Sequence, residues 1–191
     1  MLARDAAPVY SRPMAALKRT VALIGMMGAG KSSVGRRLAR RLGAPFRDAD
    51  SEIEAAAGCT IAEIFARFGE SEFREGERRV ILRLLGQPPH VLATGGGAIL
   101  DTATRAGIAE NAVSVWLRAP IELLLARVER RTTRPLLEGG SAREKLERLL
   151  AEREPLYAQA DIIVDAAEGP HLVAVNRILS ALATRGMVEL S

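Results

Sequence analysis

Apolar positions along this chain follow two periods, and the switches between them mark its elements. Val21 to Ile24 is a short apolar run that predicts a strand. After the glycine-rich stretch Gly25-Met-Met-Gly-Ala-Gly-Lys31-Ser32, Val34, Leu38 and Leu42 recur four apart, one face of a helix. Pro45 to Asp50 has an apolar entry and then two carboxylates two apart. Read as extended chain, it puts Asp48 and Asp50 on one face, beyond a strand's carboxyl end. Ser51 to Ala57 predicts a short helix stopped by Gly58. Thr60-Ile-Ala-Glu63 spells a capping box, and the helix it starts carries Ile61, Ile64, Phe65 and Phe68 on one face as far as Gly69. A further helix over about Glu72 to Leu85 has Phe73, Val80, Ile81 and Leu84 as its apolar stripe.

His90 to Thr94 reads as a strand that runs into Gly95-Gly96-Gly97. Asp101 to Glu110 is a weaker helix, and Ala112 to Leu117 a strand. Pro120 stands at the favoured first position of a helix over Ile121 to Val128, whose continuation is broken by Pro135. Ser141-Ala-Arg-Glu144 is a second capping box. Its helix is expected to run to about Arg153 and to end at Glu154-Pro155-Leu156-Tyr157. Ile162 to Val164 is the last strand. Pro170 opens a final helix, His171 to about Leu182, with Leu172, Val175, Ile178 and Leu179 toward the core. Five strands alternating with helices predict an α/β protein with a largely parallel sheet, and right-handed crossovers put helices on both faces.

The 191 residues fit one domain with a substantial core. No apolar stretch approaches the roughly 18 residues of a membrane span. A single cysteine, Cys59, excludes an intrachain disulfide, fits a reducing compartment and has no zinc-ligand neighbours. The net charge of +4 is carried by arginine. These arginines are spread through the helices, and aromatics make up only 4 %, which argues against nucleic acid and for small anionic ligands. Met1 to Arg19 lacks the apolar core of a signal peptide and reads as a flexible extension. His90 and His171, without catalytic neighbours in sequence, are expected at the surface or at a strand edge.

Strand, glycine-rich loop and helix follow one another in the order a phosphate cradle needs. The glycines let loop N–H groups converge on an anion, and the helix adds the positive end of its dipole. Lys31 is placed to reach phosphates, and Ser32 to offer its hydroxyl to Mg²⁺. Three glycines after a strand cost backbone entropy and point to close approach of backbone to a ligand. Arg74, early in its helix, opposes the helix dipole, which hints at a ligand-facing role. Arg127, Arg130, Arg131 and Arg134 repel one another unless an anion lies among them.

From about Thr20 to Leu182 the chain resembles the shikimate kinases. The elements that carry the resemblance are, in order, GMMGAGKSSVGRRLA, DAD, GCTIAEIFARFGESEFREGE, GGGAI, TRPLL, and EREPLY before a VD strand. The resemblance implies a P-loop fold like that of the nucleoside monophosphate kinases, a three-layer α/β sandwich with a five-stranded parallel sheet and a mobile lid over about 127–140. It implies ATP- and Mg²⁺-dependent phosphorylation of the 3-hydroxyl of shikimate, on the route to chorismate and the aromatic amino acids. By the same resemblance Gly28, Ala29, Gly30, Lys31, Ser32 and Ser33 hold the nucleotide's phosphates. Ser32 and Asp48 hold Mg²⁺, and Asp50 meets the reacting hydroxyl. Arg74 and Arg153 grip the acceptor's carboxylate beside Gly96 and Gly97. Arg134 reaches the phosphates from the lid, and Arg127 lies by the adenine. A cytoplasmic monomer without membrane or nucleic-acid partners is expected.

In many P-loop enzymes an Asp ends the third strand as a metal partner. Here Leu92-Ala-Thr94 runs straight into Gly95, which leaves that role to Asp48. A gluconate-type kinase shares loop and lid but has no reason for two carboxylate-gripping arginines. A GTPase is disfavoured by the lack of an Asn-Lys-x-Asp motif. A nucleotide-binding module without catalysis is the remaining alternative, and the filled catalytic positions argue against it.

Overall fold

The computed structural model describes residues 17–129, 141–166 and 171–188. Five strands form one sheet: β1 (Thr20–Ile24), β2 (Phe46–Asp48), β3 (Val91–Ala93), β4 (Ala112–Arg118) and β5 (Ile162–Asp165). Their order is β2-β3-β1-β4-β5 and every pairing is parallel. Every residue of β1 and β3 is buried, as is all of β4 except Arg118. Neighbouring side chains of a strand point to opposite faces, so these central strands are covered on both sides. The covering helices are α1 (Lys31–Leu42), α2 (Ala49–Ala57), α3 (Ile61–Leu85), α4 (Thr102–Asn111), α5 (Ile121–Glu129), α6 (Ala142–Tyr157) and α7 (His171–Thr184). α1 packs on α7, α3 on α2 and α4, and α5 on α6.

Most elements fall where the periodicity puts them. Thr60 and Glu63 make the full capping box, and α3 is kinked at Gly69, whose backbone is left-handed and extended (φ 79°, ψ 178°). The two helices expected on either side of Gly69 are thus the two arms of α3. Ser141 caps α6 by accepting from the Glu144 N–H. Arg19, at the end of the expected extension, donates to the Ala109 carbonyl at 3.2 Å, and the Lys18 N–H donates to Met187.

Four expectations are corrected. α6 does not stop at Arg153 but continues through Pro155 to Tyr157. Proline removes only the hydrogen bond to the Ala151 carbonyl, and both residues lie on the exposed face, so the loss does not fall in the core. Asp50 is not on extended chain: β2 ends at Asp48 and α2 begins at once, with Asp50 in its first turn. His90 is buried rather than at the surface, its Nδ1–H donating to the Pro88 carbonyl at 2.9 Å. Leu172 faces solvent, at 47 % exposure, because the α7 face that meets α1 and β5 is set by Val175, Ile178 and Leu179. The expected lid from residue 130 onward, Arg134 included, lies outside the described residues, as do residues 1–16. No helix among the described residues is long and apolar enough to cross a membrane.

Candidate active site

The loop between β1 and α1 is held open by its glycines. Gly28 and Gly30 have φ of 82° and 97°, values that a side chain disfavours. α1 starts from Gly30 with no side-chain cap and no acid in its first turn. α3, α4 and α6, by contrast, are capped by Thr60, Asp101 and Ser141. The first-turn N–H groups of α1 are therefore left to a ligand, and the dipole favours an anion there. Lys31 is buried, and its Nζ donates to the Gly25 and Met26 carbonyls at 2.7 and 3.0 Å.

A cleft of about 100 Å³ opens in front of this loop. Gly28, Gly30, Lys31, Ser32 and Ser33 line it on one side, and Asp48, Asp50, Thr94 and Gly96 on the other. Parallel strands bring these segments together, because β1, β3 and β2 are neighbours and all end on this side. Ala29 is buried and its N–H is given to the Met26 carbonyl, so it shapes the turn. Arg127 lies behind the loop, donating to the Gly28 and Ala29 carbonyls at 3.1 and 3.3 Å. His171 packs against Gly30 from the same side. Burial, then the charges of Arg127 and Arg37, keep its pKa below the ordinary value.

Beside the cleft stands a cluster of charges. Arg74 donates to Glu77 at 2.7 Å and to Glu70 at 3.0 Å. Burial works against its charge, yet the two carboxylates outweigh that and raise its pKa. Glu77 is 2 % exposed, and burial pushes its carboxyl above the usual range against the pull of Arg74. Arg153 is equally buried, and its Nε and one terminal nitrogen have no hydrogen-bond partner among the described residues.

The glycine run sits inside this cluster. A side chain on Gly95 would strike Glu77 and approach Asp50 Oδ1 at 3.2 Å; one on Gly97 would meet the Arg74 guanidinium at 2.5 Å. One on Gly96 would meet the Met27 N–H of the phosphate loop at 3.1 Å and Arg153 at 3.7 Å. The glycines thus let both arginines, Glu77 and Asp50 close on one backbone segment.

The model of the family described as shikimate kinase matches residues 27–183. The chain belongs to the shikimate kinase family. A shikimate kinase of Caulobacter vibrioides is 57 % identical over 175 residues, covering 91 % of this chain and 88 % of that one. Among solved structures, the shikimate kinase of Acinetobacter baumannii in complex with shikimate superposes with a TM-score of 0.85. It is 39 % identical over 87 % of this chain and 94 % of its own. A gluconokinase of Sinorhizobium meliloti, 21 % identical with a TM-score of 0.62 over 89 % of this chain and 94 % of its own, shares the fold alone. The family's α/β fold with a five-stranded parallel sheet is the one observed.

Two residues of the site escaped the sequence reading. Glu77 had a signal: it follows Phe73 by four and precedes Val80 by three, a carboxylate in an otherwise apolar stripe. Tyr157 stands in the EREPLY run, but Pro155 reads as a helix end and hid its place on the buried face.

Proposed function

We propose that this chain transfers the γ-phosphoryl group of ATP to the 3-hydroxyl of shikimate. Kinase activity with ATP and Mg²⁺ goes with membership of the family. The observation that carries the acceptor is the pair Arg74 and Arg153. Two guanidiniums converge on one glycine loop beside Asp50, and the buried Arg153 has donors to spare. A buried donor without a partner is costly, and a planar carboxylate satisfies guanidinium forks bidentately.

Each remaining part then has a task. The α1 N-terminus and the loop N–H groups take the phosphates, and Lys31 moves its ammonium from loop carbonyls to phosphate oxygen. The donors in the cleft suit Mg²⁺: Ser32 and Asp48 are hard oxygen ligands that would hold it, and the ion would supply charge neutralisation at the phosphates. Asp50 orients the acceptor hydroxyl and takes its proton as the oxygen–phosphorus bond forms and ADP leaves. Transfer of this kind needs mainly positioning and charge stabilisation, and these residues supply both. Arg127 buttresses the loop from the adenine side. Arg134, expected from the resemblance to meet the phosphates, lies outside the described residues. We read residues 20–191 as one kinase domain after an extension over 1–19, acting as a cytoplasmic monomer without nucleic acid or membrane.

The test is ADP release by purified protein with ATP and Mg²⁺, with shikimate, quinate, gluconate or no acceptor. Strong dependence on shikimate is expected. Release only with another acceptor would overturn the roles of Arg74 and Arg153. Tight ATP binding without release would point to a module that binds nucleotide and does no chemistry.

A further inference from the structure

Tyr157 closes α6 and is completely buried. Its ring stacks on Trp116 with centroids 5.7 Å apart and planes 23° from parallel. A buried phenol must find a partner, and complete burial rules out bulk solvent as that partner. Tyr157 donates instead across 61 positions of sequence, to the Gly96 carbonyl at 2.5 Å. The Tyr157 hydroxyl oxygen lies 3.8 Å from the Met26 sulfur of the phosphate loop and against the Arg153 guanidinium one turn back. Burial pushes the hydroxyl's pKa up to about 12, so it stays a donor at any working pH.

The bond acts on the part of the site with least rigidity of its own. A glycine–glycine peptide has few steric limits on either side and rotates readily. In a trans peptide the carbonyl and the next N–H point in opposite directions. Fixing the Gly96 oxygen toward α6 therefore aims the Gly97 N–H away from α6. Were this peptide to turn over, its oxygen would leave α6 and its N–H would face the Tyr157 hydroxyl and the Arg153 guanidinium beside it. Donor would then stand against donor, and the glycine surface on which Arg74 and Arg153 close would change.

We propose that Tyr157 is a positioning residue for the acceptor half of the site: its hydroxyl locks the Gly96–Gly97 peptide in the orientation that leaves Arg74 and Arg153 to the acceptor's carboxylate. The proposal rests on the shikimate reading above. It assigns no contact with ATP or with the transferred phosphoryl group.

Tyr157→Phe tests it, because the ring and its stack on Trp116 remain and only the hydroxyl goes. Wild type and variant are compared in shikimate KM, ATP KM, kcat and Tm, with the Gly97 amide resonance followed in ¹⁵N-labelled protein. The expected result is a shikimate KM raised by about tenfold, with ATP KM and kcat within about twofold and a displaced Gly97 resonance. A shikimate KM within about twofold of wild type, or equal rises in both KM values, would overturn the proposal and leave Tyr157 a core residue. Wild type without shikimate-dependent turnover would overturn the functional reading, and the role of the hydroxyl with it.

Discussion

The two halves of the site are built on opposite plans. The donor half is one continuous stretch, Gly25 to Ser33, and works through backbone: left-handed glycines, uncapped N–H groups and a single lysine folded onto its own loop. The acceptor half draws single side chains from α2, α3 and α6 and seats them around three glycines after β3. Backbone donors are cheap to bury because the helix they open is stable anyway. Side-chain charges are not, and each buried guanidinium or carboxylate there is matched by another charge or left for a ligand. The donor half is therefore specified by one local stretch of sequence. The acceptor half exists only when the whole sheet is assembled.

The sharpest way to break this contrast is at Lys31, the charged side chain of the donor half. Lys31→Ala is expected to lower kcat by two to three orders of magnitude, about 3–5 kcal/mol of transition-state stabilisation. Turnover close to wild type would mean that backbone alone suffices.

Glu77→Gln probes the acceptor half with a smaller change. Losing the carboxylate frees Arg74 from its 2.7 Å anchor, and a roughly five- to tenfold rise in shikimate KM is expected with ATP KM unchanged. The wild-type pH profile carries a second signature. Burial raises the Glu77 pKa, so on acidification it takes up its proton at a higher pH than an ordinary carboxylate. Shikimate KM should climb there in wild type and not in the variant; identical profiles would detach Glu77 from the grip.

The smallest effect is behind the donor half, at His171. Its folded pKa is held below 6.5, so the folded protein binds fewer protons than the unfolded chain as pH falls through that value. Stability is complete above the unfolded pKa and declines toward the lower, folded one. In His171→Gln the drop in Tm between about pH 7.5 and about pH 5.5 should shrink by about 1–2 °C. An equal drop in both proteins would show that the ring titrates as if in water.

The same contrast governs what could be read in advance. The donor half was legible because its chemistry is local: spacing, glycines and the following helix are all within Thr20 to Leu42. The strands and the capping box at Thr60 were legible for that reason too. The acceptor half was not, because Arg74 and Arg153 gain meaning only when β3, β1 and β4 bring α3 and α6 together. The opposed helix dipole gave a hint for Arg74, and only the family resemblance pointed to Arg153. Pro155 misled because a local rule for helix ends yields to tertiary packing: Arg153 and Tyr157 are one turn apart and must share the buried face. His90 misled because a strand-edge position reads as exposed until Thr20 and Pro88 enclose it.

The strand order has one more consequence, for the time course of folding. β1 carries the phosphate loop and sits in the middle of the sheet, yet its partners are late in the chain: Val21 pairs with Val91 and Thr20 with Ala112. As the polypeptide leaves the ribosome, the loop is out well before the strands that flank β1. It has nothing to stand on until β3 and then β4 emerge and long loops close. For much of synthesis β1 is an apolar strand with two open edges, the condition that favours mispairing between neighbouring chains. The nucleotide-binding half, which precedes the acceptor half along the chain, takes shape only after β3 and β4 have been made.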